Sequence, residues 1–245
     1  MRINDLILNK KSTPLALTGL KQINLILGPA NIGKSYVLDG IYREIKKLSK
    51  KDNSSVVYLK DTTDFTRAFD KMFLGSKTTK SIIGDKVIND KLYAEKLINA
   101  VKFFFKDYTT RDISNPLEDW EYMSTSFKKL VYLSSISSLT TFDTELLPDI
   151  VIVDDLDSCI NHEHFKPLAR LLFDSRDIQF FVVIKNIELL DLFLDEINRV
   201  MFSGCEEDIV VGYKLFTKEN KQICSGKYTQ QDIHFNICHD NELRS

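Results

Sequence analysis

Gly28-x-x-x-x-Gly33-Lys34-Ser35 is a stretch whose residue types and spacing already describe a chemistry. Two glycines let the backbone wrap tightly, so that successive N–H groups converge on an anion where a helix begins. The lysine adds a point charge for the β- and γ-phosphates of a nucleotide such as ATP, and the serine hydroxyl is a hard oxygen ligand for Mg2+. The expected phosphate-binding residues are therefore Gly28, Pro29, Ala30, Asn31, Ile32, Gly33, Lys34 and Ser35. Such a loop also needs a carboxylate at the end of a neighbouring strand. Ile150-Val151-Ile152-Val153-Asp154-Asp155 supplies two. Asp154 is expected on the metal with Ser35, and Asp155 is expected to orient or deprotonate an attacking water. Asp155 and Lys34 are thus the expected catalytic pair.

These residues need elements to hold them. Ile23–Leu27 is a nearly continuous apolar run, as a strand buried on both faces requires, and it leads straight into the glycine loop. Helical spacing follows: Val37, Ile41, Ile45 and Leu48 form a stripe widened by Leu38 and Tyr42, which the charge run Lys46–Lys51 is predicted to end. Further strands are predicted at Ile3–Leu8, Pro14–Leu17, Val56–Leu59, Ile150–Val153 and Phe180–Ile184, with helices at Phe165–Phe173 and Ile187–Ile197. Ile209–Phe216 and Ile223–Tyr228 read as an antiparallel hairpin turning at Lys218–Asn220. Residues 62–132 are richer in aromatics and lysines, with helical spacing, and read as a mostly helical insertion or lobe. The expected fold is α/β: a P-loop domain spanning 1–245 with a mixed central sheet, this insertion and a C-terminal hairpin.

Other groupings offer less. Cys159, His162 and His164 fall within six residues, but a zinc site would need a fourth ligand from elsewhere. His234, Cys238 and His239 read as ordinary helix and loop residues. Lys46, Lys47, Lys50 and Lys51 read as a solvated helix end suited to the negative pole of the helix dipole, or as a nucleic-acid contact. Phe103, Phe104 and Phe105 read as core of the insertion.

Composition narrows the class. The 245 residues are 43% hydrophobic and 28% charged, with only nine glycines and five prolines, which excludes disordered and collagen-like chains. A net charge of −2 leaves nucleic-acid binding to a local patch at most. The four cysteines form no C-x-x-C pair, and neither a secretory leader nor an ~18-residue apolar span is apparent, so a cytoplasmic protein without membrane contact is expected.

The two ends of the chain resemble the ABC-type ATPases of the chromosome-maintenance, DNA-repair and OLD-nuclease class, especially compact AAA-domain proteins of prokaryotic anti-phage defence. Asp154-Asp155-Leu156-Asp157-Ser158-Cys159-Ile160-Asn161 stands where that family has Asp-Glu-Pro-Glu-Asn-Gly-Leu-His. Val183-Ile184-Lys185-Asn186-Ile187-Glu188-Leu189-Leu190 stands where it has Thr-Thr-His-Ser-x-Glu-Leu-Ile. The closing hairpin with Tyr228 and the terminal Glu242-Leu243-Arg244 are also similar to the family's tail. The resemblance covers roughly residues 1–60 and 133–245. It implies ATP and Mg2+ as ligands, a homodimer or higher oligomer that closes on ATP, and a separate effector such as a nuclease.

Several positions depart from that pattern. Leu133-Ser134-Ser135-Ile136-Ser137 lies where the family's Leu-Ser-x-Gly signature would contact the other subunit's γ-phosphate, but Ile136 replaces the glycine. Ser134 is therefore either a phosphate contact or part of a hydroxyl-capped helix start. Asp155 is one methylene shorter than the family's glutamate, Lys185 replaces its phosphate-sensing histidine, and no glutamine lies between Lys34 and Asp154. Two alternatives remain beside the ABC reading. One is an AAA+ helicase-loader type with Asn186 as polar sensor, which the 120 residues from Lys34 to Asp154 disfavour. The other is a nucleotide-gated scaffold with little hydrolysis.

Overall fold

In a computed structural model of the chain, the described residues are 2–8, 14–52, 56–59, 133, 148–159, 162–201, 209–218 and 223–238. Their strands are β1 (Asp5–Leu8), β2 (Leu15–Thr18), β3 (Ile23–Leu27), β4 (Val56–Leu59), β5 (Ile150–Val153), β6 (Gln179–Val182), β7 (Val210–Thr217) and β8 (Ile223–Thr229). The helices are α1 (Lys34–Asp52), α2 (His162–Asp174), α3 (Ile187–Met201) and α4 (Gln230–Cys238), with a 3-10 turn at Leu156–Cys159.

Six strands form one sheet in the order β4-β5-β6-β3-β7-β8. The first five run parallel, and β8 turns back antiparallel on β7 as the expected hairpin. The period-2 alternation of a strand explains why INLIL, IVIV and QFFV carry apolar residues at nearly every position: both faces are covered. Leu25, Val151, Val153, Phe180 and Val182 enter a core shared with α2, α3 and α4. Ile26, Ile150, Ile152 and Phe181 enter a second core with α1 and the β1–β2 pair. That antiparallel pair leans on the hairpin, where Tyr213 Oη donates to Thr18 O at 2.8 Å and Ser225 Oγ to Ala16 O at 3.1 Å.

Several expectations about the elements need adjustment. The first strand begins at Asp5 rather than Ile3, because the Ile3 backbone is taken by the Gln179 amide, N to Oε1 at 3.1 Å and O from Nε2 at 2.8 Å. The lysine run forms the last turns of α1, which ends at Asp52 just beyond it. Lysine is a good helix former, Lys46 and Lys47 are exposed, and Lys47 pairs with Glu44 at 2.7 Å. The buried stripe of α1 is also displaced late in the helix: Ser49 is buried where Leu48 is exposed, as a 3.6-residue period carried on from Leu38, Ile41 and Ile45 dictates. The penultimate parallel strand runs Gln179–Val182, not Phe180–Ile184. Helix α4 has no strong apolar stripe to announce it and starts on a capping box instead: Thr229 N donates to Asp232 Oδ2 at 2.8 Å, and Asp232 N to Thr229 Oγ1 at 3.1 Å. The insertion at 62–132, Phe103–Phe105, Cys205, His239 and the terminal Glu242-Leu243-Arg244 lie outside the described residues.

Candidate functional site

The parallel strands β3, β5 and β6 all deliver their C-terminal ends to one side of the sheet, where open α/β sheets bind ligands. From β3 the chain enters the loop 28–33. Gly28 at φ 134°, Asn31 at 64° and Gly33 at 97° give it the backbone turns that side chains other than Asn tolerate poorly. Gly28 also has no room to be anything else, since a Cβ there would meet Leu215 O of β7 at 2.9 Å. Ile32 N donates to Pro29 O at 3.4 Å, and α1 follows at once, with Val37 N on Gly33 O at 3.0 Å.

A cleft of about 1130 Å3 opens over this loop. Gly28, Pro29, Ala30, Asn31, Gly33, Lys34 and Ser35 line it, and so do Asp155, Asp157, Lys185 and Asn186 from the ends of β5 and β6. Ile32, expected with the loop residues, is not among the lining residues; its side chain packs against the core shared with α1 and fastens the loop there. Lys34 is only 8% exposed, and its Nζ donates to Gly28 O at 2.5 Å and Pro29 O at 2.7 Å. Burial and the Lys185 cation push the Lys34 ammonium below its ordinary value, against the opposing pull of Asp154, Asp155 and Asp157. A lysine so held is poised to accept anionic partners in place of backbone carbonyls.

Asp154 ends β5 and is 6% exposed, with its N–H on Leu59 O at 3.0 Å. It is not among the lining residues, but its charge is felt at Lys34. Asp155 breaks from the strand at φ 55°, a left-handed conformation that costs a residue with a side chain about 1–3 kcal/mol in a site that holds it. Its carboxylate forms an ion pair with Lys185 Nζ. Burial raises the Asp155 carboxyl above its ordinary value, with Lys185 holding it down and Asp157 adding to the rise. Burial works to lower Lys185, and the hydrogen bond and charge of Asp155 outweigh it, leaving the ammonium raised.

Asp157 and Asn186 complete the wall. Asp157 Oδ2 accepts the N–H of Lys185 at 2.9 Å and of Asn186 at 2.5 Å. Asn186 Oδ1 accepts from Glu188 N at 2.8 Å and Leu189 N at 3.4 Å, which makes this side chain the N-cap of α3. The sequence motif contains Asp157, but nothing in its spacing aims it at a loop 28 residues further on. Ser134 lies outside the described residues, as do the side chains of Cys159 and His164, while His162 is exposed. Asp191, Asp195 and His234 place ligand-type atoms within 4.8 Å of one another between α3 and α4, where His234 Nδ1 lies 3.6 Å from Asp191 Oδ1. No described helix is long and apolar enough to cross a membrane.

No protein-family model matches the sequence, and no curated protein matches it. Among solved structures, the chain is similar to MJ1267, an ATP-binding cassette of an ABC transporter, at 15% identity over 97% of this chain and 94% of that one, TM-score 0.49. It is similar to the SMC head domain from Thermotoga maritima at 13% identity over 94% of this chain and 99% of that one, TM-score 0.48. A third likeness is to a chain in the complex of archaeal ribosomal stalk protein aP1 with ribosome recycling factor aABCE1, at 14% identity and TM-score 0.47. There 92% of this chain spans 43% of the other.

Proposed function

We propose that this chain is an ATP-binding, ABC-type P-loop ATPase. One observation carries the reading: the loop 28–33 wraps between a doubly buried parallel strand and a helix, with Lys34 folded into it and the acidic end of β5 alongside. The donor set fits a magnesium nucleotide. Backbone N–H groups of Gly28–Ser35 and the Lys34 ammonium would hold phosphate oxygens, and the Ser35 hydroxyl with the Asp154 carboxylate would hold Mg2+. The bound metal supplies charge neutralisation on the phosphates. Asp155 is the group to orient the attacking water and take its proton, and Lys185 the cation to meet the terminal phosphate.

The antiparallel β1–β2 pair ahead of the P-loop strand favours the ABC-type reading over the AAA+ one, as does the use of Asn186 as a helix cap. The sequence resemblance in residues 154–161 and 183–190 supports the finer reading: residues 1–245 form one domain with 62–132 as a lobe, and two copies close on ATP with Ser134 facing the other copy's phosphate. In that reading the dimer controls a separate effector such as a defence nuclease. The shorter Asp155 supports slow or partner-stimulated turnover.

Titration of labelled ATP into wild type and Lys34→Ala, with light scattering on the same samples, tests this. Loss of the ammonium should weaken binding by about 2–4 kcal/mol, roughly 30- to 1000-fold. Mg-ATP should dimerise wild type and leave Lys34→Ala unchanged. Equal affinities would remove the P-loop reading; an assembly state indifferent to ATP would remove the shared-site reading alone.

A further inference from the structure

The turn after β5 holds a third carboxylate to which the nucleotide-binding reading gives no task. Asp157 lies two residues beyond Asp155 and lines the same cleft. Its Oδ2 takes both the Lys185 and the Asn186 N–H, tying the exit of β6 to the exit of β5, while its Oδ1 has no hydrogen-bond partner among the described residues. The Lys185 backbone is therefore pinned. Its side chain is not: it is 52% exposed, and the carboxylate it pairs with, Asp155, is 17% exposed in the cleft wall. A lysine is a point charge on a flexible four-carbon stem, able to turn its donors from one anion to another.

We infer that Asp157 is a positioning residue that fixes the Lys185 backbone so that the Lys185 ammonium exchanges the Asp155 carboxylate for the terminal phosphate of a nucleoside triphosphate. The inference rests on the nucleotide-binding reading and adds to it how the site tells a triphosphate from a diphosphate. A γ-phosphate carries more negative charge than one carboxylate and offers three acceptor oxygens, so it outcompetes Asp155 for the ammonium. A diphosphate presents no such group at that position and leaves the ion pair closed. Because only side-chain torsions change, little ordering entropy opposes the exchange; a loose β6–α3 connection would add the cost of fixing several backbone dihedrals. The exchange also releases Asp155 only when a triphosphate is present.

Displacement of a fluorescent nucleotide by Mg-ATP and by Mg-ADP reads the ATP-over-ADP affinity ratio in wild type and variants. Wild type should prefer ATP. Lys185→Ala should lower that ratio about tenfold, and Asp157→Ala about three- to tenfold. Asp157→Asn keeps an oxygen that accepts both N–H groups and should hold the ratio within about twofold. Asp155→Asn should raise the ratio, since a neutral amide competes less for the ammonium. An Asp157 that merely supports the fold would weaken both nucleotides together, and a ratio unmoved in Asp157→Ala overturns the inference. If wild type binds neither nucleotide, the nucleotide-binding reading falls and takes the inference with it. If wild type binds both and the ratio ignores Asp157, only the positioning role falls.

Discussion

The two ends of the central sheet are finished with opposite chemistry. Where the parallel strands begin, neutral amides close the structure. Asn24, fully buried, donates to Lys21 O at 2.8 Å and Phe180 O at 2.9 Å and accepts from Lys21 N at 2.9 Å. Gln179 holds both backbone groups of Ile3 and also reaches Lys21 O at 3.0 Å, while Gln22 donates to Leu172 O and Phe173 O, each at 3.0 Å. Where the same strands end, the groups are charged and the backbone is contorted: Lys34, Asp154, Asp155, Asp157 and Lys185 gather around three turns of positive φ in the loop and a fourth at Asp155. Neutral amides in saturated geometry fix a structure and leave nothing for a ligand to improve. Charges held by one another or by backbone carbonyls can be redistributed when a more highly charged partner arrives. The first end is built for stability and the second for exchange.

The largest expected effect breaks the closed end. Asn24→Ala removes three buried hydrogen bonds at once, which should cost about 3 kcal/mol and lower Tm by about 6–12 °C for a chain of this size. Nucleotide affinity at the opposite end should change by less than about threefold. Thermal unfolding and the ATP titration check the two halves separately, and a Tm within about 2 °C of wild type would contradict the clamp. A smaller stability effect, with a larger functional one, is expected at the open end. Gly28→Ala must place a Cβ against Leu215 O while holding φ at 134°, which should cost about 2 kcal/mol of stability. By turning the loop amides it should also weaken ATP at least about tenfold. If Gly28→Ala lost stability but bound ATP normally, the loop would be a structural turn and nothing more.

How far the sequence revealed all this follows the range of each signal. β3 and β5 begin and end where their apolar runs do, because burial on both faces writes itself into nearly every residue of a short strand. The glycine loop was legible for a similar reason, being contiguous. What stayed hidden depends on neighbours in space. Lys185 meets Asp155 because β5 and β6 lie side by side with Val153 opposite Val182, a pairing that no local pattern states. Asp157, Asn24 and Gln179 do their work on backbone groups far along the chain, and a polar residue in or beside an apolar strand does not announce its partner. The displacement of the first strand from Ile3 to Asp5 has this origin, since a side chain 176 residues away claims the backbone that periodicity had assigned to the ladder.

Hydrogen exchange of the full chain with and without Mg-ATP tests the division between the two ends most directly. Slowed exchange is predicted in residues 28–36, where loop amides engage phosphate, and in residues 184–188 at the exit of β6. Residues 21–25 and 177–181 at the amide-clamped end should exchange at the same rate in both samples. Protection spread evenly over both ends, or none in residues 28–36 at saturating Mg-ATP, would contradict the assignment of the nucleotide to the charged end of the sheet.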